Sequence, residues 1–236
     1  MKKYILFFFI LINLTLFYSQ VNSQEKEYRS PLIFEKDILE FENTDIKQKP
    51  KPGSIVFIGS SSIRGWHKHI QEDLSPLTII PRGFGGSNFN DAFYYADRIV
   101  ISYKPRAVVI YEGDNDVAQG ISTEKIANTF IDFTKKIHSN LPEARIYFIS
   151  IKPSISRWHL WNKMKEANKL IEKICSKDKR LNYIDIASSM LSDDGLPKKE
   201  LFLEDKLHLT RAGYILWRDI VKSILIPIEL DFEFKK

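Results

Sequence analysis

The sequence predicts an α/β protein, a three-layer sandwich whose central parallel sheet has five strands in the doubly wound, flavodoxin-like order 2-1-3-4-5. Three observations carry this expectation. Short apolar runs alternate with longer stretches of helical periodicity, the pattern of strands joined by covering helices. The runs are apolar throughout instead of alternating with polar residues, as strands buried on both faces of a parallel sheet are. Right-handed crossovers between such strands then favour this order.

Taken in order, Met1-Lys2-Lys3 and the apolar run Tyr4 to Tyr18, broken by Asn13 and Thr15, lead to Val21-Asn22-Ser23. A basic start, a short apolar stretch and small residues at its end read as a signal peptide over 1–23, so the expected location is secreted or periplasmic. The run is short for a membrane span, which needs about 20 apolar residues. An uncleaved anchor is the alternative, and no cysteine follows at which a lipid could be attached. Residues 24–53 hold a short helix marked by Phe34, Ile38 and Phe41, then the linker Lys47 to Gly53. Residues 54–226 form the main domain and 227–236 a C-terminal tail.

Within that domain, Ile55 to Ile58 is a buried strand, and Ile63, Trp66 and Ile70 repeat at helical spacing after it. Leu77 to Ile80 is a second strand ending at Pro81, and Asn88 to Ile101 a helix. Ala107 to Tyr111 is the third strand, with a helix opened by Ser122-Thr123 after it. Arg145 to Ile151 is the fourth strand, a long helix covers about 159–177, a fifth strand about 181–186 and a last helix about 210–224.

The net charge of +5 falls to +3 once Lys2 and Lys3 are removed, and no dense basic block interleaves with aromatics. That balance argues against a nucleic-acid partner. Cys175 is the one cysteine, so no intramolecular disulfide forms; its apolar helical setting makes it a core residue.

Four polar clusters should meet at the carboxyl edge of the sheet, where ligands bind in open α/β folds. Gly59-Ser60-Ser61-Ser62 sets Ser61 beside a helix N-terminus, although serines there can be simple caps. Arg82-Gly83-Phe84-Gly85-Gly86-Ser87-Asn88 can aim backbone N–H groups at an anion, or be a plain turn. Gly113-Asp114-Asn115-Asp116 offers an amide donor, or an Asx turn; no histidine is near it, and its spacing fits no metal loop. Asp205-Lys206-Leu207-His208 places a carboxylate where it can hold an imidazole N–H. Jointly the four supply a nucleophile, oxyanion donors, and a general base with its orienter.

In these blocks the chain resembles the SGNH hydrolases, the GDSL esterase/lipase superfamily, over residues 54–225. The resemblance implies Ser61 as nucleophile, Asp205 and His208 as its acid and base, and an oxyanion hole of Ser61, Gly86 and Asn115. Ser60 departs from the Asp of the family's Gly-Asp-Ser block; that Asp is not the triad acid, so catalysis should survive. The implied reaction is ester hydrolysis through an acyl-enzyme, needing neither metal nor organic cofactor.

Arg64, Arg157, Trp158 and Trp161 lie in or near loops expected to open onto the site, where they could hold an anionic group or stack on a sugar. Packing and solvated charge are the plainer reading of each. No long apolar lid is visible, which disfavours a lipase. The expected substrate is a small-molecule or carbohydrate ester with a short acyl group such as acetyl. A lysophospholipase-like or aryl esterase comes second, and a silent carbohydrate-binding protein third. No membrane association is expected once the leader is removed, and oligomeric state is not legible.

Overall fold

A computed structural model describes residues 25–233; the expected signal peptide over 1–23 lies outside them. The sheet has five parallel strands in the order β2-β1-β3-β4-β5, as the sequence predicts. They are β1 Ile55–Gly59, β2 Ile79–Gly83, β3 Ala107–Tyr111, β4 Arg145–Ile149 and β5 Leu181–Ile184. Every residue of β1 and β3 is buried, which is why these central strands show no alternation. The helices are α1 Glu35–Lys47, α2 Ser61–Trp66, α3 Ile70–Asp73, α4 Phe89–Ile99, α5 Asp114–Gln119, α6 Thr123–Asn140, α7 Trp161–Cys175 and α8 Arg211–Glu233. On one face α4 packs on α6 and α6 on α7. On the other, Trp66 of α2 packs against Tyr214 and Trp217 of α8. Among the described residues no helix is long and apolar enough to cross a membrane.

Several ends shift by a residue or two, β2 beginning at Ile79, β4 stopping at Ile149 and β5 at Ile184; four differences from the sequence reading are more substantial. First, β2 does not stop at Pro81 but continues to Gly83, with Pro81 opposite Phe57. It is an edge strand, and an edge tolerates a residue that cannot donate to a ladder. Second, the helix after β1 is broken into α2 and α3. Third, the polar cluster after β3 is itself helical, because the Asp116 carboxylate accepts the Gly113 N–H at 2.9 Å and caps α5.

The fourth difference is at the chain's end. The helix expected to stop near 224 runs through Pro227 to Glu233, so the described part of the expected 227–236 tail is helical. An internal proline costs a helix about 3 kcal/mol. Buried Glu229 supplies the compensation: it accepts from Arg145 at 2.5 and 2.8 Å, Tyr147 at 2.6 Å and Arg106 at 3.1 Å. Glu233 adds Arg106 at 2.6 Å and the Thr78 N–H at 3.0 Å. This network ties the last turns of α8 to β3 and β4.

The register aligns Gly59 with Gly83 and with Tyr111. The segments leaving β1, β2 and β3 therefore emerge side by side at one sheet edge.

Candidate active site

The turn out of β1 depends on a close backbone approach. A Cβ on Gly59 would stand 2.4 Å from the Tyr111 carbonyl oxygen, so only glycine lets the chain pass against β3. Ser60 then occupies the N-cap position of α2, but its side chain makes no capping bond. The cap reading of the serine cluster therefore does not account for Ser61. Its Oγ lies 2.9 Å from His208 Nε2 across 147 residues of chain.

Packing between α2 and α8 makes that approach possible. The Trp66 ring stacks on Tyr214 at 5.8 Å, and the Tyr214 hydroxyl donates to the Ser62 carbonyl at 2.9 Å. Arg211, at the start of α8, pairs with Asp73 of α3, which also accepts from the Trp66 indole at 2.7 Å. These contacts fix the start of α8, and His208 lies three residues before it.

His208 Nδ1 is 2.5 Å from Asp205 Oδ2, while Asp205 Oδ1 accepts the N–H groups of Leu207 and His208, each at 2.9 Å. The bond to the His208 ring, then those to the backbone, hold the Asp205 carboxyl down to about 2. An ionised Asp205 accepts a hydrogen bond from Nδ1–H, which fixes the tautomer whose Nε2 lone pair faces the Ser61 hydroxyl. Both side chains stand open to solvent, Asp205 at 49% and His208 at 37% exposure.

The glycine loop lies beside this row. The Gly83 N–H donates to His67 Nε2 at 2.9 Å. Burial, with help from Arg82 and Arg64, pushes the His67 ring down to about 4, so it is a neutral acceptor. Gly86 has φ +91°, a left-handed conformation that glycine adopts without strain. Its carbonyl accepts from Arg29, and its N–H has no hydrogen-bond partner among the described residues. Ser87 is held from two sides. Its hydroxyl donates to the buried Glu112 at 2.6 Å, and its carbonyl accepts from Asn115 Nδ2 at 2.8 Å. As the first residue of α2, Ser61 also presents an N–H with no partner inside the helix.

Arg157 lies beside the Asn115 loop. Its Nη1 donates to Asp114 at 2.5 Å and to Asn115 Oδ1 at 3.0 Å. Asp114 is also bound by the buried Lys152 at 2.6 Å. Burial alone would raise the Asp114 carboxyl, but Lys152 and Arg157 outweigh it and hold it low. Arg157 is thus engaged with the Asn115 loop. Trp158 is half-buried and stacks on the buried Trp161 at 6.1 Å, so this pair packs on the protein itself. Arg64 is exposed, with its guanidinium against Gly85. Cys175 is buried, and burial raises its thiol to about 12.

The sequence reading missed Arg29, His67 and Lys152. A lysine directly after a buried strand was a usable signal for Lys152, since such a charge must find a counter-ion at the sheet edge. Nothing local marks Arg29, whose partners are 57 and 62 residues away. Among the described residues no group of three or more His, Cys, Asp or Glu side chains is placed to hold a metal.

Residues 53–216 match the GDSL-like Lipase/Acylhydrolase family. No protein of curated function matches the chain in sequence. Solved structures share the fold. A GDSL-like lipase from Bacteroides thetaiotaomicron superposes with TM-score 0.69 at 17% identity, covering 80% of this chain and 97% of its own. The acetyl xylan esterase AlAXEase gives 0.63 at 19%, covering 73% and 100%. A lipase/acylhydrolase from Enterococcus faecalis gives 0.59 at 19%, covering 73% and 95%.

Proposed function

The chain belongs to the GDSL-like lipase/acylhydrolase family and is a carboxylic ester hydrolase; from that premise we propose that Ser61 is its nucleophile, His208 the general base and Asp205 the residue that orients it. The observation that carries the assignment is the continuous row Asp205–His208–Ser61, at 2.5 and 2.9 Å. His208 Nε2 takes the Ser61 proton as Oγ attacks the ester carbonyl carbon, and Asp205 stabilises the imidazolium. The N–H groups of Ser61 and Gly86 and the Asn115 amide receive the oxyanion. Collapse of the tetrahedral intermediate expels the alcohol, protonated by His208, and leaves the acyl group on Ser61. Water then repeats the sequence and releases the acid.

The substrate we propose is an ester with a short acyl group, such as acetyl on a carbohydrate, met outside the cell after the leader is removed. The exposure of Asp205 and His208 supports this, because an open site admits a bulky sugar more readily than it shelters a long acyl chain. The shared fold with an acetyl xylan esterase is consistent with it.

The test is hydrolysis of p-nitrophenyl acetate, butyrate and octanoate by residues 24–236 and by its Ser61→Ala variant. Turnover should fall with acyl length and drop by about 10⁴-fold or more in the variant, since a catalytic set of this kind acts as a unit. A preference for octanoate would move the assignment to lipid-like esters. Unchanged turnover in Ser61→Ala would remove Ser61 from the mechanism.

A further inference from the structure

Nine of the ten arginines among the described residues form an ion pair with a carboxylate. Arg64 is the exception, and its guanidinium has neither a carboxylate nor any hydrogen-bond acceptor within reach. It sits three residues after Ser61 in α2, hence on the same helix face. Its guanidinium carbon lies only 2.4 Å from where a Cβ on Gly85 would stand. The charged group therefore rests on the glycine loop immediately before Gly86, and the absence of a side chain at Gly85 makes room for it.

The surroundings do not neutralise this charge. The second arginine near the site, Arg157, is committed to Asp114 and Asn115.

Resting on the ester hydrolase reading above, we propose that Arg64 binds an oxyanion, a carboxylate or a phosphate, carried by the substrate beside its scissile ester. The guanidinium presents a planar fork of N–H donors that matches either group with two parallel hydrogen bonds. A substrate already neutral at this point would leave the fork unpaired in the complex. The substrate class is then an acylated acidic sugar or sugar phosphate.

The experiment compares kcat/KM on three acetyl esters: acetylated methyl glucoside, its glucuronic acid counterpart and its 6-phosphate counterpart. The parent enzyme should prefer at least one anion over the neutral ester by about tenfold or more. In Arg64→Met that preference should fall to about one, and in Arg64→Glu it should invert. Gly85→Ala, which keeps the charge but displaces it, should weaken the preference as well. Raising salt from about 0.05 to 0.5 M should shrink it in the parent, because the group is exposed.

Which anion is preferred distinguishes the sugar acid from the phosphate. Equal loss on all three esters in Arg64→Met would overturn the proposal and assign Arg64 to the oxyanion itself. No preference in the parent would overturn it outright. Loss of Ser61-dependent turnover on p-nitrophenyl acetate is read separately, so failure of the serine mechanism cannot be mistaken for failure of the Arg64 assignment.

Discussion

Asn115 has one amide and three demands on it. One N–H goes to the Ser87 carbonyl, the oxygen accepts from Arg157, and the second N–H has no partner among the described residues and is the one proposed to meet the oxyanion. The Arg157 bond makes this arrangement unique, because a flipped amide would set its NH₂ against the guanidinium. Arg157 is therefore a positioning residue, and its loss should be felt through Asn115. Asn115→Ala should lower kcat by about 10²–10³-fold, the cost of one oxyanion donor. Arg157→Met should lower kcat by a smaller factor with little change in KM. In the Asn115→Ala background it should have almost no further effect on kcat, which a double-mutant cycle on p-nitrophenyl acetate reads directly. Additive effects would make Arg157 an independent contributor. At this scale the sequence was informative wherever the chemistry is local. Asp205 and His208 are three residues apart, and Ser61 follows a strand. It left two readings open at Arg157 and Trp158, because a polar or aromatic loop residue looks the same whether it faces a ligand or a buried partner.

Elements were legible where burial is simple and obscure where a long-range ion pair overrides local preference. The apolar runs of β1 and β3 read as buried strands, and alternation with helices together with right-handed crossovers favoured the order that all five adopt. Pro81 was read as a strand end and the last helix was expected to stop near 224; the chain continues through both, past Pro81 in β2 and past Pro227 in α8. In β2 an edge position removes the need for the missing N–H; in α8 the buried Glu229 holds the turn beyond the proline. Neither reason lies within a few residues of the proline, since the Arg106, Arg145 and Tyr147 that meet Glu229 are 82 or more residues away. The last turns of α8 should therefore be structural. Glu229→Gln should destabilise the fold by about 3–5 kcal/mol, as breaking a buried ion pair from one side does. Ending the chain after Ile226 should cost at least as much. Urea unfolding of both variants checks this, and a change under 1 kcal/mol on truncation would show that the helix ends independently of the network.

At the level of the whole molecule, the face behind the glycine loop is an acidic interior whose protonation is coupled to folding. Burial pushes Asp116 up to about 7 and Asp91 up to about 6, and raises Glu112 well above the carboxylate range. Tyr28 donates to Asp116 at 3.0 Å and Arg29 reaches Asp91 at 3.4 Å, so the segment before α1 closes this interior. In the unfolded chain these carboxyls ionise near pH 4. Between about pH 4 and 7 the native state therefore holds protons that the unfolded state has released, and stability from these groups is lost as pH rises. His67 works the other way. Its native value near 4 lies below the unfolded 6.5, so its contribution is gained as pH rises over that interval. Within the acidic interior itself the raised carboxyls dominate, so its own contribution to stability is larger on the mildly acid side. Asp116→Asn isolates the Asp116 contribution. Asp116 accepts the Phe89 N–H on Oδ1 at 3.1 Å and the Gly113 N–H on Oδ2 at 2.9 Å; the asparagine keeps one of these acceptors and loses the other, a cost that does not vary with pH, and it cannot ionise. The difference in unfolding free energy between Asp116→Asn and the parent should therefore move in the variant's favour from pH 4 to pH 8. At about 1.4 kcal/mol per pH unit the full excursion is on the order of 4 kcal/mol. Urea unfolding at both pH values measures it. A difference that stays constant with pH would mean that Asp116 is ionised throughout, and the interior would then have to be held by Tyr28 and the backbone donors against a standing negative charge.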